Sequence, residues 1–286
     1  MQILTTKEEL TRQVTACVRQ KKTIGLVPTM GALHQGHASL VRRAVAENDV
    51  CFVSVFVNPT QFNNKEDLEK YPRDIHRDAE LLSSLGVHFV FAPTPEEMYT
   101  AEEMSHPFEF DFNGLDEVME GKMRPGHFNG VVQVVSRLFY LVHPTRAYFG
   151  EKDFQQLAII HYMVERSALS HTFGDLTIVG CPIVREETGL ALSSRNERLS
   201  DEEKETALGI SKTLFESVKW AHSGASVAQV QQRVVDTINA IDGLEVEYYS
   251  IVDKDTLQPA KSFDNAIGCV TVYCGAVRLI DNIKYC

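Results

Sequence analysis

The chain has 286 residues, 44% hydrophobic and 23% charged, the composition of a folded water-exposed protein with one large domain or two moderate ones. Its formal net charge of −11 argues against nucleic acid or an anionic membrane surface as the main partner, because both attract a basic stripe. No run of about 18 apolar residues marks a membrane span, and the start Met1-Gln2-Ile3-Leu4-Thr5-Thr6-Lys7-Glu8 lacks a signal-peptide pattern, so a cytoplasmic location is expected. The six cysteines, Cys17, Cys51, Cys181, Cys269, Cys274 and Cys286, form no Cys-x-x-Cys pair and read as reduced thiols packed as small hydrophobes. The ten histidines show neither His-Glu-x-x-His nor zinc-finger spacing, and no dedicated metal site is expected.

Apolar runs suited to buried parallel strands fall at Ile24–Val27, Val50–Val57, Val87–Phe91, Ala147–Phe149 and Leu176–Val179. Helix-like segments Ala38–Glu47, Arg73–Leu85, Val131–Leu141 and Phe154–Ala168 lie between most of them. This alternation predicts an α/β fold with a parallel sheet covered on both faces, which binds ligands in the loops after its strands, near the reversal of strand order. The segment Glu96–Asp116 mixes acids, aromatics and methionines and is expected to form a mobile wall of the site. Residues 1–184 are therefore expected as one domain and residues 185–286 as a smaller α+β domain. In the latter, helices Ser200–His222 and Ser226–Ile241 precede strands Val246–Val252, Cys269–Cys274 and Val277–Ile280.

The stretch Pro28-Thr29-Met30-Gly31-Ala32-Leu33-His34-Gln35-Gly36-His37 reads as strand, glycine-bearing turn and helix start. A helix start offers unpaired N–H groups and the positive end of the dipole, and histidines three apart share one face of its first turn, which suits a polyphosphate. Asn58-Pro59-Thr60-Gln61-Phe62 offers neutral amides, which bind a hydroxyl or carboxylate without neutralising it. Gly121-Lys122-Met123-Arg124-Pro125-Gly126-His127-Phe128-Asn129-Gly130 sets Lys122 and Arg124 before a helix. Phe149-Gly150-Glu151-Lys152-Asp153-Phe154-Gln155-Gln156 presents Lys152 as a point charge, Asp153 as a helix cap and one inward-facing glutamine. Gly189-Leu190-Ala191-Leu192-Ser193-Ser194-Arg195-Asn196 joins two hydroxyls and a guanidinium just past the change of domain, where a closing lid or clamp would lie. Each loop alone also fits an ordinary turn. Together they gather cations and hydroxyls on one sheet edge of an acidic protein, and a nucleoside triphosphate is the simplest ligand.

In order, and with Tyr71-Pro72-Arg73, these stretches resemble the signatures of the pantoate–β-alanine ligase family over nearly the whole chain. The resemblance implies a Rossmann-like nucleotidyltransferase domain, akin to class I aminoacyl-tRNA synthetases, with a C-terminal α+β lid and a homodimeric assembly. It implies condensation of pantoate with β-alanine: the pantoate carboxylate attacks the α-phosphorus of Mg2+-bound ATP, pyrophosphate leaves, and β-alanine attacks the enzyme-held pantoyl adenylate to give pantothenate and AMP. Met30, Gly31, Ala32, Leu33, His34, Gln35, Gly36 and His37 would then cradle ATP, with His34 and His37 stabilising phosphate charge and His37 as general acid. Lys152 and Arg195, with Ser193 and Ser194, would hold the phosphates. Gly150, Glu151, Asp153, Val184 and Leu192 would line the nucleotide. Gln61 and Gln156 would bind pantoate, Gln61 also lying near β-alanine, and Arg124 would be a further phosphate ligand. Mg2+ would come mainly on the phosphates rather than on protein ligands.

Other readings stay open on the residues. Another nucleotidyltransferase acting on a small phosphorylated acceptor would want a second phosphate pocket where Asn58–Phe62 and Gln155-Gln156 offer amides. A synthetase fragment would want a basic RNA-binding appendage. A nucleotide sensor on the same fold would bind ATP without releasing pyrophosphate.

Overall fold

The computed structural model describes residues 1–63, 65–106 and 108–285. Cys286, Pro107 within the Glu96–Asp116 segment, and Asn64 lie outside the described residues. The chain divides into two compact units, residues 1–151 with 156–181, and residues 152–155 with 182–286.

In the first unit, strands β1 (Gln2–Leu4), β2 (Ile24–Thr29), β3 (Val50–Val55), β4 (Phe89–Phe91), β5 (Arg146–Gly150) and β6 (Thr177–Cys181) pair in parallel in the order β1-β4-β3-β2-β5-β6. From β2 the chain builds outward through β3 and β4 on one side, then returns to build β5 and β6 on the other. Strand order therefore reverses at the β2/β5 pair, whose carboxyl ends are Thr29 and Gly150, and a ligand crevice opens above such a reversal. Alternate residues of the central strands enter opposite layers. Ile24, Leu26, Val50, Phe52 and Ala147 pack with Leu138 and Phe139 of the helix His127–Val142, while Val27, Cys51, Val53 and Tyr148 pack with Val41 and Ala44 of the helix Gln35–Glu47.

The elements depart from the sequence expectations in physically readable ways. β2 continues past its apolar run through Pro28 to Thr29; its ladder to β5, made by Gly25 and Leu26, has already ended there, so a proline leaves that side intact. The helices Gln35–Glu47 and His127–Val142 start ahead of Ala38 and Val131, because polar residues of a first turn carry no apolar signal. Short helices Pro95–Met98 and Ala101–Ser105 lie within or at the edge of the Glu96–Asp116 segment. Strand β1 and the helix Lys7–Arg19 have no counterpart in the sequence reading; the helix opens with a reciprocal Thr6/Glu9 cap and buries Leu10, Val14 and Cys17.

In the second unit, helices Asp201–His222 and Val227–Asn239 both open on serine capping boxes. They share one core with the antiparallel sheet of β7 (Leu244–Asp253), β8 (Ala266–Cys274) and β9 (Val277–Lys284), in which Val230, Val234 and Ile238 come together with Ile251, Val270 and Val272. Among the described residues, no helix is long and apolar enough to cross a membrane.

Candidate active site

The turn after β2 is shaped by a buried carboxylate. Asp78, on the helix Ile75–Ser84, is 2% exposed and accepts the backbone N–H groups of Ala32 at 3.0 Å and Leu33 at 2.8 Å. Thr29 braces the other side, its hydroxyl donating to the Ser54 carbonyl at 2.6 Å and accepting the Gly31 N–H at 3.2 Å. Gly31 has φ +84°, and a Cβ there would stand 2.9 Å from Asp78 Oδ2, so glycine alone fits. Ala32 has φ +50°, a left-handed conformation unusual for alanine, and its bond to Asp78 holds it there. Burial pushes the Asp78 carboxyl above its ordinary value; the N–H groups of Leu33 and Ala32 pull it down only in part, and Asp74 and Arg77 act in opposite senses.

The turn feeds the helix Gln35–Glu47, whose N-cap is His34 rather than a residue of the first helical turn. The two histidines cap each other. His34 Nδ1 accepts the Gly36 N–H at 3.1 Å, His37 Nδ1 accepts the His34 N–H at 3.3 Å, and the ring centroids lie 4.1 Å apart. This is the reciprocal box that Ser or Thr usually makes with Glu or Gln. A ring nitrogen that accepts a hydrogen bond carries no proton, so this network assigns the proton of each neutral ring to Nε2. Each imidazole is thereby set as a donor on the side away from the backbone it caps.

The turn after β3 is held by a fully buried amide. Asn58 is 0% exposed; its Nδ2 donates to Gln61 Oε1 at 3.1 Å and to the Gly130 carbonyl at 3.0 Å, while its Oδ1 accepts from the Tyr99 hydroxyl at 2.9 Å and the Thr60 hydroxyl at 3.1 Å. With both ends used in one sense, the amide has one orientation. Gln61 Oε1 is thus engaged, and its Nε2 lies 3.0 Å from Met30 Sδ, which brings the amide turn against the turn after β2. The Gln61 carbonyl meets the His127 ring at 2.8 Å and the Arg124 guanidinium at 3.5 Å, and Arg124 also pairs with Glu120 at 3.6 Å. Arg124 therefore lies against the Gln61 turn. Gln155 is the buried member of the glutamine pair and Gln156 is half-buried. Glu151 continues from β5 with its N–H on the Cys181 carbonyl at 2.8 Å.

In the second unit, two neighbouring residues of β9 anchor both basic loops. Arg185 makes a two-pronged pair with Asp281, at 2.6 and 2.8 Å, and donates to the Gly189 carbonyl at 3.2 Å. This fixes the reversal in which the Leu192 N–H meets the Val184 carbonyl at 3.0 Å. That reversal delivers Ser193, whose hydroxyl accepts the Arg195 N–H at 3.3 Å and caps the short helix Ser194–Arg198. Asn282 Nδ2 donates to the Lys152 carbonyl at 2.9 Å, and Lys152 Nζ lies 3.9 Å from Asp153. Thus Met30 to His37, Gln61, Gly150, Glu151 and Gln156 belong to the first unit, and Lys152, Asp153, Val184, Leu192, Ser193, Ser194 and Arg195 to the second. The sequence reading missed Asp78, Tyr99, Asp281 and Asn282. The signal for the last two is an adjacent polar pair set between Leu279-Ile280 and Ile283, and the fold buries both, at 6% and 3% exposed.

The model of the pantoate-beta-alanine ligase family matches residues 2–284. The chain belongs to this family. Members of the family are ATP-dependent ligases that join pantoate and β-alanine through an amide bond. The chain is 59% identical to the pantothenate synthetase of Phocaeicola vulgatus, covering 100% of this chain and 99% of the relative. It is similar to the crystal structure of pantothenate synthetase from Thermus thermophilus, with a TM-score of 0.90, 42% identity and coverage of 100% and 99%. It is also similar to the Francisella tularensis pantoate-beta-alanine ligase complexed with beta-gamma ATP and beta-alanine, with a TM-score of 0.83, 34% identity and coverage of 100% and 98%.

Proposed function

We propose that this family member makes pantothenate in two steps through a pantoyl adenylate, on the residues described above. In the first step, a pantoate carboxylate oxygen attacks the α-phosphorus of ATP and the bond to the pyrophosphate oxygen breaks. In the second, the β-alanine amine attacks the acyl carbon, AMP leaves with the bridging oxygen, and the amine proton is lost to solvent. The observation that carries this reading is the Gln61 amide beside Met30. It sets a neutral donor against the phosphate-facing turn, and a carboxylate held by an amide keeps its charge for attack.

Direct attack is also favoured by the state of the thiols. Burial raises Cys17, Cys181 and Cys274 and pushes Cys51 up to about 12, so these cysteines supply no thiolate nucleophile. In this scheme His34 and His37 donate through Nε2 to the phosphates, and the turn from Met30 to Leu33 lies along them. Lys152 and Arg195, with Ser193 and Ser194, draw charge from the departing pyrophosphate. Gly150, Glu151, Asp153, Val184 and Leu192 line the nucleotide, and Gln156 joins Gln61 on pantoate. Mg2+ enters as part of the ATP substrate, carried mainly on its phosphates. We take the assembly to be a homodimer working in the cytoplasm, as the family resemblance implies.

The test is release of pyrophosphate and AMP from MgATP and D-pantoate, with and without β-alanine. Pantoate-dependent pyrophosphate limited to about one turnover, made catalytic with AMP release by β-alanine, is expected. ATP binding without pantoate-dependent pyrophosphate would instead fit a sensor.

Asp78 gives a second prediction. A raised folded-state value favours the protonated carboxyl, so ionised Asp78 lowers stability: this cost is absent below the unfolded value of 3.8, grows as pH rises to the raised folded value, and is full above it. Asp78→Asn removes the buried charge and one acceptor. It is expected to melt at pH 7 no lower than wild type, with the KM for ATP raised about tenfold as the turn loosens. A lower melting temperature with an unchanged KM would reduce Asp78 to a packing residue.

A further inference from the structure

Tyr99 follows the short helix Pro95–Met98, is 3% exposed and belongs to none of the loops that carry the proposed ligand residues. Its hydroxyl reaches Asn58 Oδ1 at 2.9 Å. The Arg137 guanidinium lies 5.0 Å from its ring centroid and is itself held by the Met98 carbonyl and by Glu103. Burial is the main cause that pushes the Tyr99 phenol up to about 12, so it stays protonated and remains a donor. With Tyr99 and Thr60 donating to Oδ1 and the Gly130 carbonyl accepting from Nδ2, Asn58 keeps Oδ1 towards Tyr99 and turns Nδ2 to Gln61 Oε1 as well. Gln61 then has its oxygen occupied and its Nε2 directed towards Met30.

We propose that Tyr99 is a positioning residue for the carboxylate substrate: through Asn58 it fixes the Gln61 amide as a hydrogen-bond donor, so this subsite selects an acceptor oxygen. The inference rests on Gln61 as a pantoate ligand. A Gln61 amide turned over would set its carbonyl oxygen against the substrate oxygen, replacing an attraction by a repulsion. The same polarity disfavours a substrate that offers only N–H donors at that point.

The test is steady-state kinetics with pantoate and ATP varied in turn, alongside thermal melting, for wild type, Tyr99→Phe, Thr60→Val and Gln61→Ala. Tyr99→Phe keeps the buried ring and removes only the hydroxyl; its KM for pantoate is expected to rise about five- to tenfold, with the KM for ATP within about twofold. Thr60→Val removes the other hydroxyl donor to Asn58 Oδ1 and is expected to move the pantoate KM in the same direction, so it decides the matter should Tyr99→Phe fail to fold. A merely structural role would lower the melting temperature and leave the pantoate KM in place. Unchanged pantoate KM in both variants, with a rise of more than about tenfold in Gln61→Ala, overturns the Tyr99 assignment and leaves the Gln61 reading standing. Unchanged pantoate KM in Gln61→Ala as well overturns both.

Discussion

His37→Ala is expected to slow single-turnover release of pyrophosphate by about 10²- to 10³-fold, the usual cost of losing one preorganised donor to a transition state, while ATP binding weakens far less. The reason lies in the cap. His37 Nδ1 is committed to the His34 N–H, so its proton sits on Nε2, where it can meet charge that grows as pyrophosphate departs. Alanine also removes half of the cap, at about 1 kcal/mol of helix-start stability. His37→Gln separates the two roles, because glutamine at this position accepts from the N-cap N–H in the ordinary way. It is expected to melt like wild type and to stay slow. A His37→Gln enzyme with wild-type single-turnover rate would restrict His37 to holding the helix start.

Gly130→Ala is expected to cut kcat/KM for pantoate by about 10²-fold, since displacements near 1 Å of a positioning group cost that much. A Cβ at Gly130 would lie 2.5 Å from the Thr60 carbonyl oxygen and 2.6 Å from the Gln61 nitrogen, and both are backbone atoms that no side-chain rotation can clear. The turn must move as a body, and its shift strains the 3.0 Å bond by which Asn58 grips the Gly130 carbonyl. The helix His127–Val142 packs Leu138 and Phe139 into the sheet and is held by that core, so the displacement falls on the turn. An enzyme that retains wild-type kcat/KM for pantoate would mean that this turn does not hold the substrate.

The central strands were legible because a parallel strand buried on both faces is a plain apolar run. β1 is three residues long and gives no such run, whereas the helix Lys7–Arg19 announces itself in the Thr6-x-x-Glu9 box and was open to reading. The histidine pair stood out, but its mutual capping did not, since histidine is not a usual cap residue and its partner depends on the turn before it. Asp78 acts on residues 45 and 46 positions away and Asn282 on one 130 positions away. Such pairings exist only after the sheet has formed. The loops that carry the family signatures were visible, and the residues that hold those loops in place were not.

The second unit is not a continuous length of chain: residues 152–155 belong with residues 182–286 although residues 156–181 intervene. No single cut separates the units. A gene fragment ending at Cys181 would encode Lys152 without the Asn282 amide that grips its carbonyl, and the complementary fragment would encode the grip without the lysine. The C-terminal portion is therefore not a module that recombination can exchange at one junction. A chimera between family members has to bring the segment around Lys152 and the strand around Asn282 from parents compatible with each other.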